Sequence, residues 1–293
     1  MIIVVVGPTG VGKTKMGIEL AKIFNGEVIN ADSTQVYKKL DIATAKVTTK
    51  EMEGIKHHLI DIKDIKEDYT VFDYQRDGRI VIEDILLRHK VPIIVGGTGL
   101  YIKALLYDYQ FSNIPTINYD QYSEEELYNK LLSVDPNTDI HKNNRKRIIR
   151  ALSYYEKTNI PYSEKEKTDT LLYNDVIFIG LTTDRKKLYQ IIDHRVNVMV
   201  DKGLIEEAKD IYNSKIRTKA VLTPIGYKEL FRYFDGDISL TESLELIKRN
   251  SRRYAKRQYT WFNNQMKIKW FDVNYQNFDK TVQEVINYVQ EKN

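Results

Sequence analysis

Residues Gly7-Pro8-Thr9-Gly10-Val11-Gly12-Lys13-Thr14 fit the pattern G-x-x-x-x-G-K-[ST]. Glycines at this spacing let a turn point successive backbone N–H groups at one anion. A helix that starts at the turn adds the positive end of its dipole. Lys13 brings a mobile positive charge, and the Thr14 hydroxyl can ligand Mg²⁺. The segment therefore predicts a polyphosphate cradle built from Gly7, Thr9, Gly10, Val11, Gly12, Lys13 and Thr14. Enzymes that act on nucleoside triphosphates with such a loop usually hold the metal with an acid at the end of another strand. Here the apolar run Val91–Val95 leads into Gly96-Gly97-Thr98-Gly99, with no carboxylate, and Asp32 follows a different apolar run. Asp32 could serve as a metal ligand, a general base or a turn cap.

The elements that must position these groups are legible as runs and periods. Ile2–Val6, Glu27–Ala31, Val91–Val95 and Val176–Leu181 are short and rich in Val and Ile, the pattern of parallel strands covered on both faces. Helical spacing at Met16, Leu20 and Ile23, closed by Asn25-Gly26, fills the first gap. Strand and helix alternate, so we expect an open α/β sheet with Lys13, Thr14, Asp32 and Thr98 converging beyond the strand ends. Between Tyr109 and Asn174 the strand rhythm stops. Ser123-Glu124-Glu125-Glu126 opens a helix there, and Ile148, Ile149, Leu152 and Tyr155 form an apolar stripe. The expected organisation is a core of residues 1–110 and 174–293 with a helical insertion at 111–173. After Leu181 everything reads helical, with Ser239-Leu240-Thr241-Glu242 as a capping box.

Along the helix from Asp184, Leu188, Ile191, Ile192, Val196 and Met199 share a face that also contains Arg195. An arginine on an apolar stripe needs an anion or an acidic partner. We expect Arg195 to reach the anion in the cradle, with an internal ion pair or a snorkelling stem as the alternatives. His57 and His58 have no third ligand at metal spacing and read as structural or loop residues.

The chain has 293 residues with 45 Lys+Arg against 41 Asp+Glu, a net charge of +4. The charge is unevenly placed. Segment 142–150 holds five basic residues and 248–257 six, neither with an acid; the remainder has 34 basic against 41 acidic, a net −7. On helices, Lys146, Arg147 and Arg150 lie opposite Ile148, Ile149 and Leu152, and Lys248, Arg249, Arg252, Arg253, Lys256 and Arg257 fill half a circumference. Solvated faces normally mix signs, so two acid-free faces point to a polyanion, with Tyr154 beside one of them as a stacking surface. With 42% hydrophobic and 29% charged residues, 14 Gly and 6 Pro, disorder is excluded. No apolar run is long enough to span a membrane, and with no basic region followed by a long apolar stretch at the N-terminus, no signal peptide is expected. Zero Cys removes disulfides and thiol chemistry, and a cytoplasmic monomer is the expectation.

Several phrases then come together. They are residues 7–14, Asp32-Ser33-Thr34-Gln35-Val36-Tyr37, Asp41-Ile42-Ala43-Thr44-Ala45-Lys46 and His57-His58-Leu59-Ile60-Asp61. They continue with Val95-Gly96-Gly97-Thr98-Gly99-Leu100-Tyr101, Arg147-Ile148-Ile149-Arg150-Ala151-Leu152, Ile225-Gly226-Tyr227-Lys228-Glu229 and Tyr254-Ala255-Lys256-Arg257-Gln258-Tyr259-Thr260-Trp261-Phe262. In this order they resemble the bacterial tRNA dimethylallyltransferase family from residue 2 to about 262; the last thirty residues add little.

The resemblance implies a P-loop NTPase-like parallel sheet with a helical insertion and a helical C-terminal part. It implies transfer of a dimethylallyl group from dimethylallyl diphosphate to N6 of adenosine 37, beside the anticodon of tRNA, with Mg²⁺. The cradle would then hold a diphosphate leaving group, with Asp32 and Thr98 as catalytic residues. The tRNA anticodon stem-loop would meet Asp32, Ser33, Thr34, Gln35, Lys146, Arg147, Ile148, Ile149, Arg150, Gly226, Tyr227, Lys228, Arg252, Arg253, Lys256 and Arg257. The Gln35 amide is suited to an adenine edge. The family often has a large residue where Gly99 stands, and Ala-Ser-Gly where this chain has Gly10-Val11-Gly12. Three other readings share parts of this pattern. They are a kinase using ATP, a prenyltransferase of free adenine nucleotides, and an RNA-binding protein with a nucleotide switch.

Overall fold

Ile2–Val6 forms β1, buried along its whole length, and the chain turns through residues 7–12 into helix α1, Lys13–Ile23. A computed structural model describes residues 1–111, 114–165 and 170–292. Strand β2 (Gly26–Asn30), helix α2 (Thr49–Met52), the two-residue strand β3 (His57–His58), helix α3 (Val71–Leu87), β4 (Val91–Val95) and α4 (Gly99–Leu106) follow. After α5 (Glu124–Val134) and α6 (Arg145–Thr158), strand β5 (Val176–Thr182) returns to the sheet. Then come α7 (Arg185–Asp201), α8 (Leu204–Asn213), α9 (Lys219–Leu222), α10 (Tyr227–Phe234), α11 (Leu240–Gln265), β6 (Lys269–Asp272) and α12 (Phe278–Lys292).

All six strands are parallel, in the order β3-β2-β4-β1-β5-β6. Four were expected. The two others sit at the sheet edges, where burial is least and the apolar signal is weak. His57–His58 is two residues long, and Lys269–Asp272 buries only Phe271. The expectation that everything after Leu181 is helical is corrected by β6. The core against β1, β4 and β5 includes Met16 and Leu20 from α1 and Val282, Val285, Ile286 and Val289 from α12. Because β4 lies between β1 and β2, the loop after it meets the ends of both. Gly96 N donates to Val5 O at 3.2 Å, and Thr98 N to Ala31 O at 3.1 Å.

The chain divides into two compact units, one of Met1–Leu106 with Leu171–Asn293, the other Tyr107–Thr170. In the second, α5 and α6 pack through Leu127, Leu131, Ile148, Ala151 and Leu152. Ser123 caps α5 in a reciprocal box with Glu126, and Ser239 does the same for α11 with Glu242. No helix among the described residues is long and apolar enough to cross a membrane.

Candidate active site

A cavity of about 820 Å³ opens at the carboxyl ends of β1, β2 and β4, and Thr9, Lys13, Asp32, Thr98, Arg195 and Tyr254 contribute to its lining. Three elements build its cationic end. The loop after β1 presents Lys13, whose Nζ donates to Pro8 O at 2.8 Å. Helix α7 sends in Arg195, whose Nη1 donates to Thr9 Oγ1 at 2.9 Å. Helix α11 closes the back with Gln258. Its Oε1 accepts from Thr9 N at 2.9 Å, and its Nε2 donates to Gly97 O at 3.1 Å. One buried amide thus ties the loop after β1 to the loop after β4. Gly97 has no room for a Cβ, because Gln258 Nε2 occupies that space.

Two half-buried cations without an anion between them raise each other's cost. Burial first, then the Arg195 charge, lowers the Lys13 amine to about 8, against a partial offset from Asp32. Burial also lowers Arg195, with Asp32 and Glu51 opposing. Such a pair has positive charge poised for an incoming polyanion. The Val11 side chain turns the other way into the core, fully buried, so only its backbone can face a phosphate.

Asp32 follows β2. Its Oδ1 accepts from Thr34 N at 2.9 Å and Thr34 Oγ1 at 2.7 Å, while Oδ2 takes no hydrogen bond from the described residues. One oxygen caps the turn and the other is left for chemistry. Thr98 Oγ1 accepts from Ser33 N at 3.1 Å and contacts Ser33 Oγ at 3.3 Å. Gln35 Nε2 is held by Thr44 O at 3.1 Å and Ala45 O at 3.3 Å, so its Oε1 is the end that can meet a ligand. Burial, then the Asp32 charge, pushes the Tyr254 phenol well above its ordinary value, with hydrogen bonding to Thr98 and Gln258 opposing. The indole of Trp261 lies where a Cβ of Gly99 would go, so a larger residue at 99 would displace it.

Several expected contacts fall elsewhere. Tyr227 and Ile148 are both 0% exposed, so neither side chain can touch an RNA. Tyr227 instead gives its hydroxyl to Glu207 Oε1 at 2.7 Å. Gly226 is buried too, and only Lys228 of that trio is exposed. Arg252 is not a free outward charge, since its Nη1 lies 2.5 Å from Asp193 Oδ1 on α7. Arg253, Lys256 and Arg257 are exposed on α11, as are Lys146, Arg147 and Arg150 on α6. Ile149 is half-buried against the α5–α6 core. His58 Nε2 lies 2.8 Å from the buried Glu27, which also holds Arg88 and Lys90. His57 Nδ1 lies 2.9 Å from Ile55 O.

Gln258, Tyr254 and Tyr275 are not among the expected site residues, although the first two stand in a motif that carries the resemblance. Gln258 shares the buried face of α11 with Ile247, Ala255 and Phe262, so the reasoning that picked Arg195 from an apolar stripe also applies to it. Tyr275 donates to Gly10 O at 3.3 Å, and Lys15 Nζ sits 4.8 Å from the Phe278 ring centre. No spacing rule connects these last residues to a loop some 265 positions away.

A parallel sheet whose first strand feeds this loop, with cations from α1 and α7 above it, defines a P-loop NTPase-like protein. Residues 35–265 match the family model described as IPP transferase, and the chain belongs to that family. It is 50% identical to a tRNA dimethylallyltransferase of Anoxybacillus flavithermus, over 99% of this chain and 96% of that one. The tRNA isopentenylpyrophosphate transferase from Bacillus halodurans matches with a TM-score of 0.77 and 42% identity, covering 99% of this chain and 96% of that one. A eukaryotic dimethylallyltransferase captured acting on tRNA matches with a TM-score of 0.84 and 31% identity, covering 100% of this chain and 80% of that one.

Proposed function

We propose that this transferase moves a dimethylallyl group from dimethylallyl diphosphate to N6 of adenosine 37, beside the anticodon of a tRNA. One observation carries the reading: a cradle with two half-buried cations, Lys13 and Arg195, shares a cavity with the carboxylate of Asp32. The relatives' names supply the class of substrate.

The allylic C–O bond breaks with its electron pair leaving on the diphosphate oxygen. Lys13, Arg195 and the N–H groups of residues 10–14 are suited to the charge that grows there. Thr98 can turn its proton from Ser33 Oγ toward the bridging oxygen. The adenine N6 lone pair forms the new C–N bond, and Asp32 Oδ2 takes the N6 proton. Thr14 lines the cavity, and its hydroxyl has no partner among the described residues, which fits a hard cation that keeps most of its waters. Mg²⁺, when bound, adds positive charge beside the leaving diphosphate.

Gln35 Oε1 is the acceptor for the remaining N6 hydrogen. Arg253, Lys256, Arg257, Lys146, Arg147, Arg150 and Lys228 supply phosphate contacts to the stem-loop. The tRNA substrate fits a cytoplasmic enzyme, and a monomer is the oligomeric state we propose.

Offering the protein dimethylallyl diphosphate and Mg²⁺ with either an anticodon stem-loop or AMP tests the acceptor. Prenylated stem-loop with unmodified AMP is expected. Prenylated AMP with an unmodified stem-loop would contradict the reading.

A further inference from the structure

The motif Ile225-Gly226-Tyr227-Lys228-Glu229 is mostly buried, yet it lies against the loop that carries Gln35's partners. Glu207, on α8, is the junction. Its Oε2 accepts from Asp41 N at 3.0 Å and Ile42 N at 2.8 Å. Its Oε1 accepts from Ala43 N at 3.1 Å and from the Tyr227 hydroxyl at 2.7 Å. Three successive amides converge on one carboxylate, an intramolecular anion nest with a phenol as its fourth donor. Gly226 closes the other side. Its φ is +130°, and a Cβ there would lie 3.2 Å from the Cβ of Ala43.

The far end of the loop is equally fixed. Lys46 Nζ, almost fully buried, donates to Tyr37 O at 2.7 Å and pairs with Asp41 and Asp61 at 2.6 Å each. Between these two anchors lie Thr44 and Ala45, whose carbonyls receive the Gln35 amide. Ala45 is held at a left-handed φ of 47°, a conformation that needs its surroundings to impose it. Glu207 does not line the cavity; it touches the cavity wall through this loop and, on the other side, through Tyr227, which follows the lining residue Ile225.

We propose that Glu207, braced by Tyr227, is a positioning residue that fixes the orientation of the Gln35 amide. This rests on the reading that Gln35 meets the acceptor adenine. With both Nε2 hydrogens drawn onto Thr44 O and Ala45 O, the amide cannot flip, and Oε1 faces the base as an acceptor. An acceptor there complements the 6-amino group of adenine and opposes the 6-oxo group of hypoxanthine or guanine. The nest therefore sets the base preference of a residue that it does not touch.

Glu207→Gln puts an amide NH₂ against backbone donors and loosens the nest. The expected result is a drop of about tenfold in kcat/KM for the anticodon stem-loop, as for losing charge-assisted hydrogen bonds, with the KM for dimethylallyl diphosphate unchanged. Glu207→Asp should recover part of the loss. Tyr227→Phe, a milder change that keeps the fold if Glu207→Gln does not, should shift the same constants in the same direction. The decisive measurement is the double-mutant cycle with Gln35→Ala. If Glu207 acts through Gln35, the Glu207 substitution has little further effect once Gln35 is gone. Fully additive losses, or an equal rise in the diphosphate KM, would overturn the proposal. If Gln35→Ala alone leaves stem-loop turnover intact, the route through Gln35 fails while prenyl transfer itself stands. Absence of prenyl transfer by the unaltered protein is the separate failure of the underlying reading.

Discussion

Arg195 Nη1 donates to Thr9 Oγ1 at 2.9 Å, joining a side chain from the middle of α7 to the loop after β1. It makes no internal ion pair: among the described residues no carboxylate lies within ion-pair distance of this half-buried arginine. That is a costly arrangement for a resting structure and a useful one for an anion-binding site.

Replacing Arg195 with Gln keeps a donor near Thr9 and removes the charge. The expected outcome is a KM for dimethylallyl diphosphate raised about 10- to 100-fold, the range for one hydrogen bond to a charged group. Stem-loop affinity, measured by filter binding, should stay within about twofold.

Lys13 sets a pH limit. Its amine is lowered from 10.5 to about 8, so the cation proposed to meet the diphosphate is lost as pH rises through about 8. kcat/KM for dimethylallyl diphosphate should therefore fall above that pH. The effect on stability has the opposite sign. The buried charged form is the unfavourable one, and the folded chain releases this proton before the unfolded chain does. The Lys13 contribution to stability accordingly rises between about pH 8 and 10.5. Because Arg195 helps hold Lys13 down, Arg195→Gln should also move the alkaline limb of the rate profile to higher pH.

Gln258→Ala orphans Thr9 N and Gly97 O together. Urea denaturation should show a loss of about 2 kcal/mol or more, since each unpaired buried group costs about 1–3 kcal/mol. Prenyl transfer should fall as well, because the two loops lose their common tie. Gly97→Ala should give a similar pair of losses by pushing the amide out from the other side.

How far the sequence led depended on how strongly each feature is written into local pattern. Strands β1, β2, β4 and β5 are buried apolar runs and were legible; the edge strands β3 and β6 were not, since half of an edge is solvent. Arg195 was found because a charge on an apolar stripe is conspicuous. Gln258 obeys the same logic and was passed over, as a neutral amide is a weaker anomaly. Tyr227 shows the reverse error. The resemblance implied that it meets tRNA, and only the tertiary partner, Glu207, reveals it as a buried brace.

The basic helix α11 divides into two kinds of cation. Arg253→Ala and Lys256→Ala remove exposed charges, so each should weaken stem-loop binding and lower the slope of log K against log salt by about 1. Arg252→Ala instead leaves Asp193 without its partner. It should change the salt slope less than either of the others, with any larger effect appearing in thermal unfolding.

The most direct measurement follows the acceptor atom. The protein and its Asp32→Asn variant are incubated with dimethylallyl diphosphate, Mg²⁺ and an anticodon stem-loop, and the product is mapped by mass spectrometry, with an ATP-only reaction alongside. The expected result is one dimethylallyl group on the adenine beside the anticodon for the unaltered protein. The variant should bind the stem-loop but yield no product. Phosphoryl transfer from ATP with no prenylated nucleoside, or full turnover by Asp32→Asn, would contradict the account.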